Sequence, residues 1–151
     1  MSSQAISRAR DNSYLTASVS TSGAFVVPGA RFLFSLIFVL SAPHHFAKAV
    51  IGYAAAQGVP FASFLVPASG VLALIGGLSI LLGYRARLGA WLLVAFLVPV
   101  TFMMHNFWTV ADPMMRQLQM AMFMKNVALI GGALLISYFG AGPYSLDARR
   151  G

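Results

Sequence analysis

The chain has 151 residues, 59% of them hydrophobic and only 9% charged, with no cysteine and a mean hydropathy of +0.80. A soluble domain of this length carries about 25% charged residues, so an ordinary globular fold is excluded, and the length suits one domain. Without Cys there is no disulfide framework, thiolate nucleophile or Cys-ligated metal cluster. Ten Lys and Arg against three acids leave a net charge of +7, and where those charges fall decides between nucleic acid, anionic lipid and membrane topology.

Residues Met1–Gly23 are rich in Ser, Ala and Thr, carry Arg8 and Arg10, and lack the continuous apolar core of a secretory signal. Residues 1–24 therefore read as a disordered cytoplasmic tail, although the Arg-plus-Ser composition is also that of an organelle transit peptide. Apolar stretches follow at Pro28–Pro43, Pro60–Leu82, Leu88–Trp108 and Gln117–Phe139. A helix needs about 20 residues to cross the hydrocarbon core. Three stretches qualify outright, and the first is shorter, with Arg31 near its start, where a long side chain reaches the headgroups. Between the first two, His45–Gln57 is helix-compatible but mixed in polarity, which suits a short helix lying along the membrane surface.

The expectation is an all-α membrane protein: a four-transmembrane-helix bundle over residues 25–143, a short interfacial helix between helices 1 and 2, and a C-terminal tail over 144–151. Gly83 followed by Tyr84-Arg85 closes the second helix. Asp112-Pro113 is an N-cap with proline at the first helical position, so the last helix starts there and ends at Gly140-Ala141-Gly142-Pro143. Arg8, Arg10, Arg31, Arg85, Arg87, Arg149 and Arg150 then fall on one side, against Lys48, Arg116 and Lys125 on the other. The positive-inside rule puts both termini in the cytoplasm of a bacterial inner membrane, and the basic excess is a topology signal, with no role in nucleic-acid binding.

Two short repeats recur: Phe64-Leu65-Val66-Pro67 as Phe96-Leu97-Val98-Pro99, and Leu74-Ile75-Gly76-Gly77 as Leu129-Ile130-Gly131-Gly132. Ser69, Ala73 and Gly77, and likewise Ala128 and Gly132, fall at helical spacing and form small-residue stripes that let backbones approach closely in lipid. Internal pseudo-symmetry of the transporter kind is the sharper reading of the same repeats.

Lys125 lies near the middle of the last helix, about 20 Å from either end, and no acid of the chain falls at its level. It must be neutral, drawn toward water, held by carbonyl oxygens or matched by an exogenous group. His44, His45 and His105 reach a comparable depth, and with Asn106, Trp108, Gln119, Asn126 and Asp112 they make a polar layer in the outer half. Trp108 also reads as a belt residue and the histidines as helix-end residues. Imidazole, amide and lysine groups can donate hydrogen bonds to quinone carbonyls, and Phe102, Phe107, Trp108 and Phe123 offer aromatic walls. The candidate ligand residues are thus Lys125, His105, Asn126, Asn106, His44, His45 and Trp108.

Seven methionines fall between Met103 and Met124. Thioether and imidazole together suit Cu(I), but helical neighbours are about 100° apart, so Met103, Met104 and His105 are not expected to face one site. Flexible packing is the better account, and no metal site is assigned. A hydrolase triad, a phosphate loop and a dinucleotide fingerprint are all missing from the sequence.

The arrangement resembles the DoxX family of small bacterial membrane proteins. The resemblance rests on Phe38-Val39-Leu40-Ser41, Gln57-Gly58-Val59-Pro60, Gly76-Gly77 through Gly83-Tyr84-Arg85, His105-Asn106-Phe107-Trp108, Asp112-Pro113, Phe123 to Leu129, and Gly140 to Asp147. It covers about residues 29 to 149 and implies association with membrane oxidoreductase complexes and oxidative-stress defence. A glutamate that such proteins carry three residues before the Gly-Gly pair is here Ala73. The preferred reading is an inner-membrane subunit or anchor of an oxidoreductase assembly, in contact with quinone near Lys125 and His105, without covalently bound cofactor and without independent catalysis. Its partners are the bilayer and other membrane or redox proteins or copies of itself. A small-solute permeation pathway and a purely structural assembly subunit are the alternatives.

Overall fold

The computed structural model describes residues 25–150. Their helices are α1 (Val26–Ser41), extended by a 3-10 turn over Ala42–Phe46, then α2 (Lys48–Ala56), α3 (Ala62–Leu82), α4 (Ala86–Met104) and α5 (Pro113–Phe139), with further 3-10 turns at Phe107–Thr109 and Asp147–Arg149. No strand occurs among the described residues. Four helical segments are long and apolar enough to cross a membrane: Val26–Phe46, Ala62–Leu82, Ala86–Thr109 and Pro113–Phe139, of 21, 21, 24 and 27 residues. This is the expected all-α bundle of four spans with a short helix between the first two. The proposed N-terminal tail lies outside the described residues.

Local chemistry explains the boundaries. The first span is longer than its sequence suggests, because Pro28 sits in the first turn, where proline is tolerated, and because the 3-10 turn carries the segment through Pro43 to Phe46. His44 and His45 thus belong to the end of the first span, and the short helix starts only at Lys48. Gly83 (φ +63°) terminates α3 in the left-handed conformation, with its N–H donating to Ile80 O and that of Tyr84 to Ser79 O. At α5 the Asp112 carboxylate accepts the Met115 N–H at 2.8 Å, the expected cap.

The helices pack in the order α1, α3, α4, α5, with α3 and α4 at the centre. Phe38, Ala73, Ile80, Ala90, Leu93, Phe96, Leu97 and Ala133 form the core. Small residues set the distances. A Cβ on Gly76 would lie 2.7 Å from Leu93 Cδ2, and one on Gly77 would lie 3.0 Å from Phe38 Cβ, so α3 presents adjacent glycines to α4 and α1. Of the two expected stripes, Ala73 and Gly77 are buried, Ser69 is half-buried, Gly132 packs against Phe34 of α1, and Ala128 is exposed.

At the basic end, Arg31 does not reach outward. It is buried and donates from Nη1 to Ala141 O at 3.0 Å and from Nη2 to Tyr144 O at 2.7 Å. Asp147 accepts the N–H groups of Arg85 (2.7 Å) and Ala86 (3.0 Å), capping α4. Residues 141–147 thereby strap α1 to the α3–α4 turn, and Ser145 rests on Gly83.

Candidate ligand pocket

A cavity of about 460 Å³ lies between α2, α3 and α4 near the end opposite the strap. Its walls are apolar: Val50 and Ala54 from α2, Leu65, Val66 and Leu72 from α3, Phe96, Pro99 and Val100 from α4. Both copies of the Phe-Leu-Val-Pro repeat border it. Pro67 and Pro99 sit inside α3 and α4, where the missing N–H frees a carbonyl one turn earlier and the ring displaces the preceding turn. Ala95, which loses its partner to Pro99, lines the cavity.

Three polar side chains reach this space: His45, Ser69 and His105. His45 is held by its Nδ1 against Ser41 O at 3.1 Å and by the edge of its ring against Phe96, 5.6 Å between centroids. Gly70 makes that position available, since a Cβ there would lie 2.6 Å from His45 Cβ. His105 follows the last turn of α4, and its Nδ1 lies 2.8 Å from Gln119 Oε1 of α5. The Gln119 amide in turn donates toward Tyr53 Oη of α2 at 3.5 Å, a weak contact that closes a chain of polar groups across three helices.

The other sequence candidates lie elsewhere. His44 is exposed on the 3-10 turn. Asn106 precedes the Phe107–Thr109 turn, and its carbonyl accepts from Thr109 N and Oγ1. Trp108 joins Phe107 and Phe102 around Phe123 in edge-to-face pairs at 5.5 to 5.9 Å. These rings fill one another's space and wall no part of the cavity. Asn126 is 4% exposed on the inner side of α5. Its neighbour Lys125 faces outward, and its Nζ approaches Met122 Sδ at 3.6 Å. The chain therefore bends toward the Asp112 end, the direction in which a helical lysine extends to reach an interface. Lys125 shares no site with the histidines: His105 meets α5 at Gln119, nearly two turns before Lys125.

Met103 and Met104 both line the cavity beside His105, contrary to the rotational argument from sequence. The helix ends at Met104, and His105 (φ −125°, ψ 41°) has left helical geometry, so the 100° rule no longer applies there. Among the described residues no cluster of three or more His, Cys, Asp or Glu side chains forms. The apolar lining of the pocket escaped sequence reading because every spanning helix is apolar. The paired prolines were its one visible trace.

Comparison with known proteins corrects the DoxX resemblance. The motifs that carried it are packing and capping devices here: the glycine contacts of Gly76-Gly77, the left-handed turn at Gly83, the Asp112 cap and the positive-φ Gly140 and Gly142. Any small helical bundle in lipid draws on such devices, so they do not discriminate between families. No solved structure matches the chain. It is 32% identical over 124 residues to the inner membrane protein YqjF of Escherichia coli K12, an alignment covering 78% of this chain and 86% of that protein. Residues 59–151, from the loop before α3 onward, match the SURF4 family profile, and the chain belongs to the SURF4 family.

Proposed function

We propose that this protein is an inner-membrane subunit that holds a lipid-soluble small molecule in the cavity between α2, α3 and α4. The carrying observation is the cavity itself: about 460 Å³, walled by aliphatic side chains and Phe96, with His45 and His105 both reaching it. Such a shape, mostly apolar with a few convergent polar groups, is that of small-molecule sites generally. A substituted six-membered ring fits that volume, and service to a membrane oxidoreductase assembly is the wider form of this reading. The name of the relative supports the inner membrane as location. Arg31, Arg85, Arg87, Arg149 and Arg150 gather at one end, and the positive-inside rule puts that end in the cytoplasm, with the cavity in the outer half.

The test is purification in mild detergent from native membranes, followed by extraction and mass spectrometry of bound hydrophobic molecules, with Ala68→Phe as comparison. Ala68 lines the cavity, so a ring there occupies it. A molecule enriched with the native chain and lost from the variant supports the reading. Equal carriage by both, or none above the detergent background, overturns it.

A further inference from the structure

The polar side chains of the cavity share a property that composition does not show. Ser41 O can only accept, so the neutral His45 ring carries its hydrogen on Nδ1 and presents Nε2 as an acceptor. His105 is in the same state: Nδ1 faces Gln119 Oε1, an orientation in keeping with the Gln119 amide nitrogen pointing at Tyr53. Ser69 Oγ donates to Val66 O at 2.7 Å, which leaves only its lone pairs for a ligand. Pro99 has no N–H to offer Ala95 O. Every polar side chain lining the cavity therefore accepts hydrogen bonds, and the Ala95 carbonyl released by Pro99 does too.

We infer that the cavity selects lipid-soluble molecules bearing a hydroxyl group, phenols and hydroquinones as a class, over their carbonyl or ether counterparts. The inference rests on the ligand-holding reading above. In surroundings without water an unmet acceptor is unfavourable. A ligand O–H relieves it, whereas a quinone carbonyl or an ether oxygen places acceptor against acceptor. Composition suggested histidines donating to quinone carbonyls, and the hydrogen-bond geometry reverses that polarity. His45 and His105 are alternative acceptors, either of which takes the hydrogen of a ligand hydroxyl, and Gly70 and Gln119 act as positioning residues, the first by making room and the second by fixing the tautomer.

The test uses the purified full chain in lipid nanodiscs and isothermal titration with 4-decylphenol, 4-decylanisole and decyl-1,4-benzoquinone, with affinities referred to the lipid-phase concentration. The phenol is expected to bind about tenfold more tightly than the anisole or the quinone, the worth of one hydrogen bond. The double variant His45→Leu with His105→Leu is expected to abolish that ratio while leaving anisole affinity within about twofold, a margin of a few tenths of a kcal/mol, and the single variants show which imidazole takes the hydrogen. Equal affinity for phenol and anisole overturns the selectivity and leaves the ligand-holding reading standing. Failure of all three probes to bind overturns both.

Discussion

Gly76 of α3 and Gly89 of α4 meet backbone to backbone: a Cβ built on either would lie 3.0 Å from the carbonyl oxygen of the other. The contact lets the two central helices approach closely, with Leu93 and Ile80 in the core beside it. A methyl group at Gly89 would also lie 2.5 Å from Ser79 Cβ, which cannot move without the helix. Gly89→Ala is therefore expected to destabilise the bundle by about 1–3 kcal/mol, as overpacking does. Gly131→Ala, with nothing within 4 Å of its Cβ, should not lower the melting temperature, since alanine is the better helix former. Thermal unfolding of the two variants in one detergent checks the pair.

Arg31 is expected to matter through the strap rather than through its charge alone. Arg31→Leu removes both bonds to the Ala141 and Tyr144 carbonyls, worth about 1.5–3 kcal/mol each for a charged donor. Limited proteolysis should then cut residues 140–150 at least several-fold faster than in the native chain. Asp147→Ala removes the cap of α4 at about 1 kcal/mol and should produce the same cleavage pattern more weakly. An unchanged digestion rate in Arg31→Leu would show that the segment is held by other contacts.

The phenol of Tyr84 is held below the usual tyrosine range, first by its hydrogen bond with Arg150 and then by the charges of Arg85 and Arg150. Its ionised form is the one stabilised, so the phenolate should appear at lower pH than in free tyrosine, and Arg150→Ala should shift it upward. Any stability gained through this group is present above the unfolded tyrosine value and disappears as pH falls through the folded one. The difference in ultraviolet titration between the native chain and Tyr84→Phe, repeated on the Arg150→Ala background, isolates the one residue.

Orientation can be read directly because the chain has no cysteine. Gly58→Cys, in the loop after α2, is expected to react with a membrane-impermeant maleimide in intact cells. Ala148→Cys, in the turn that follows the strap, should react only after lysis. The opposite pattern would invert the assignment of cytoplasmic and outer ends.

Much of the architecture was legible because lipid imposes strong rules: apolar length gives the spans, and Asp112-Pro113 and Gly83 mark ends that any helix must satisfy. The partnerships of single residues were not. Arg31 looked like a headgroup anchor because its two carbonyl acceptors lie more than a hundred residues away. Lys125 and Asn126 are adjacent in sequence, yet one faces outward and the other is buried, since a helix turns about 100° per residue and depth alone does not choose a face. Phe102, Phe107, Trp108 and Phe123 were legible as a group, but their mutual packing was not, because aromatic residues at one level satisfy one another as readily as they wall a site.

The strap also gives the bundle an order of assembly. The guanidinium of Arg31 is made early, and the carbonyls that receive it come 110 and 113 residues later. During insertion the first helix must therefore keep its arginine among phosphates and water, and only after α5 is in place does that side chain turn inward. The basic mouth of the bundle is thus sealed last, by a latch whose two halves lie near opposite ends of the described chain.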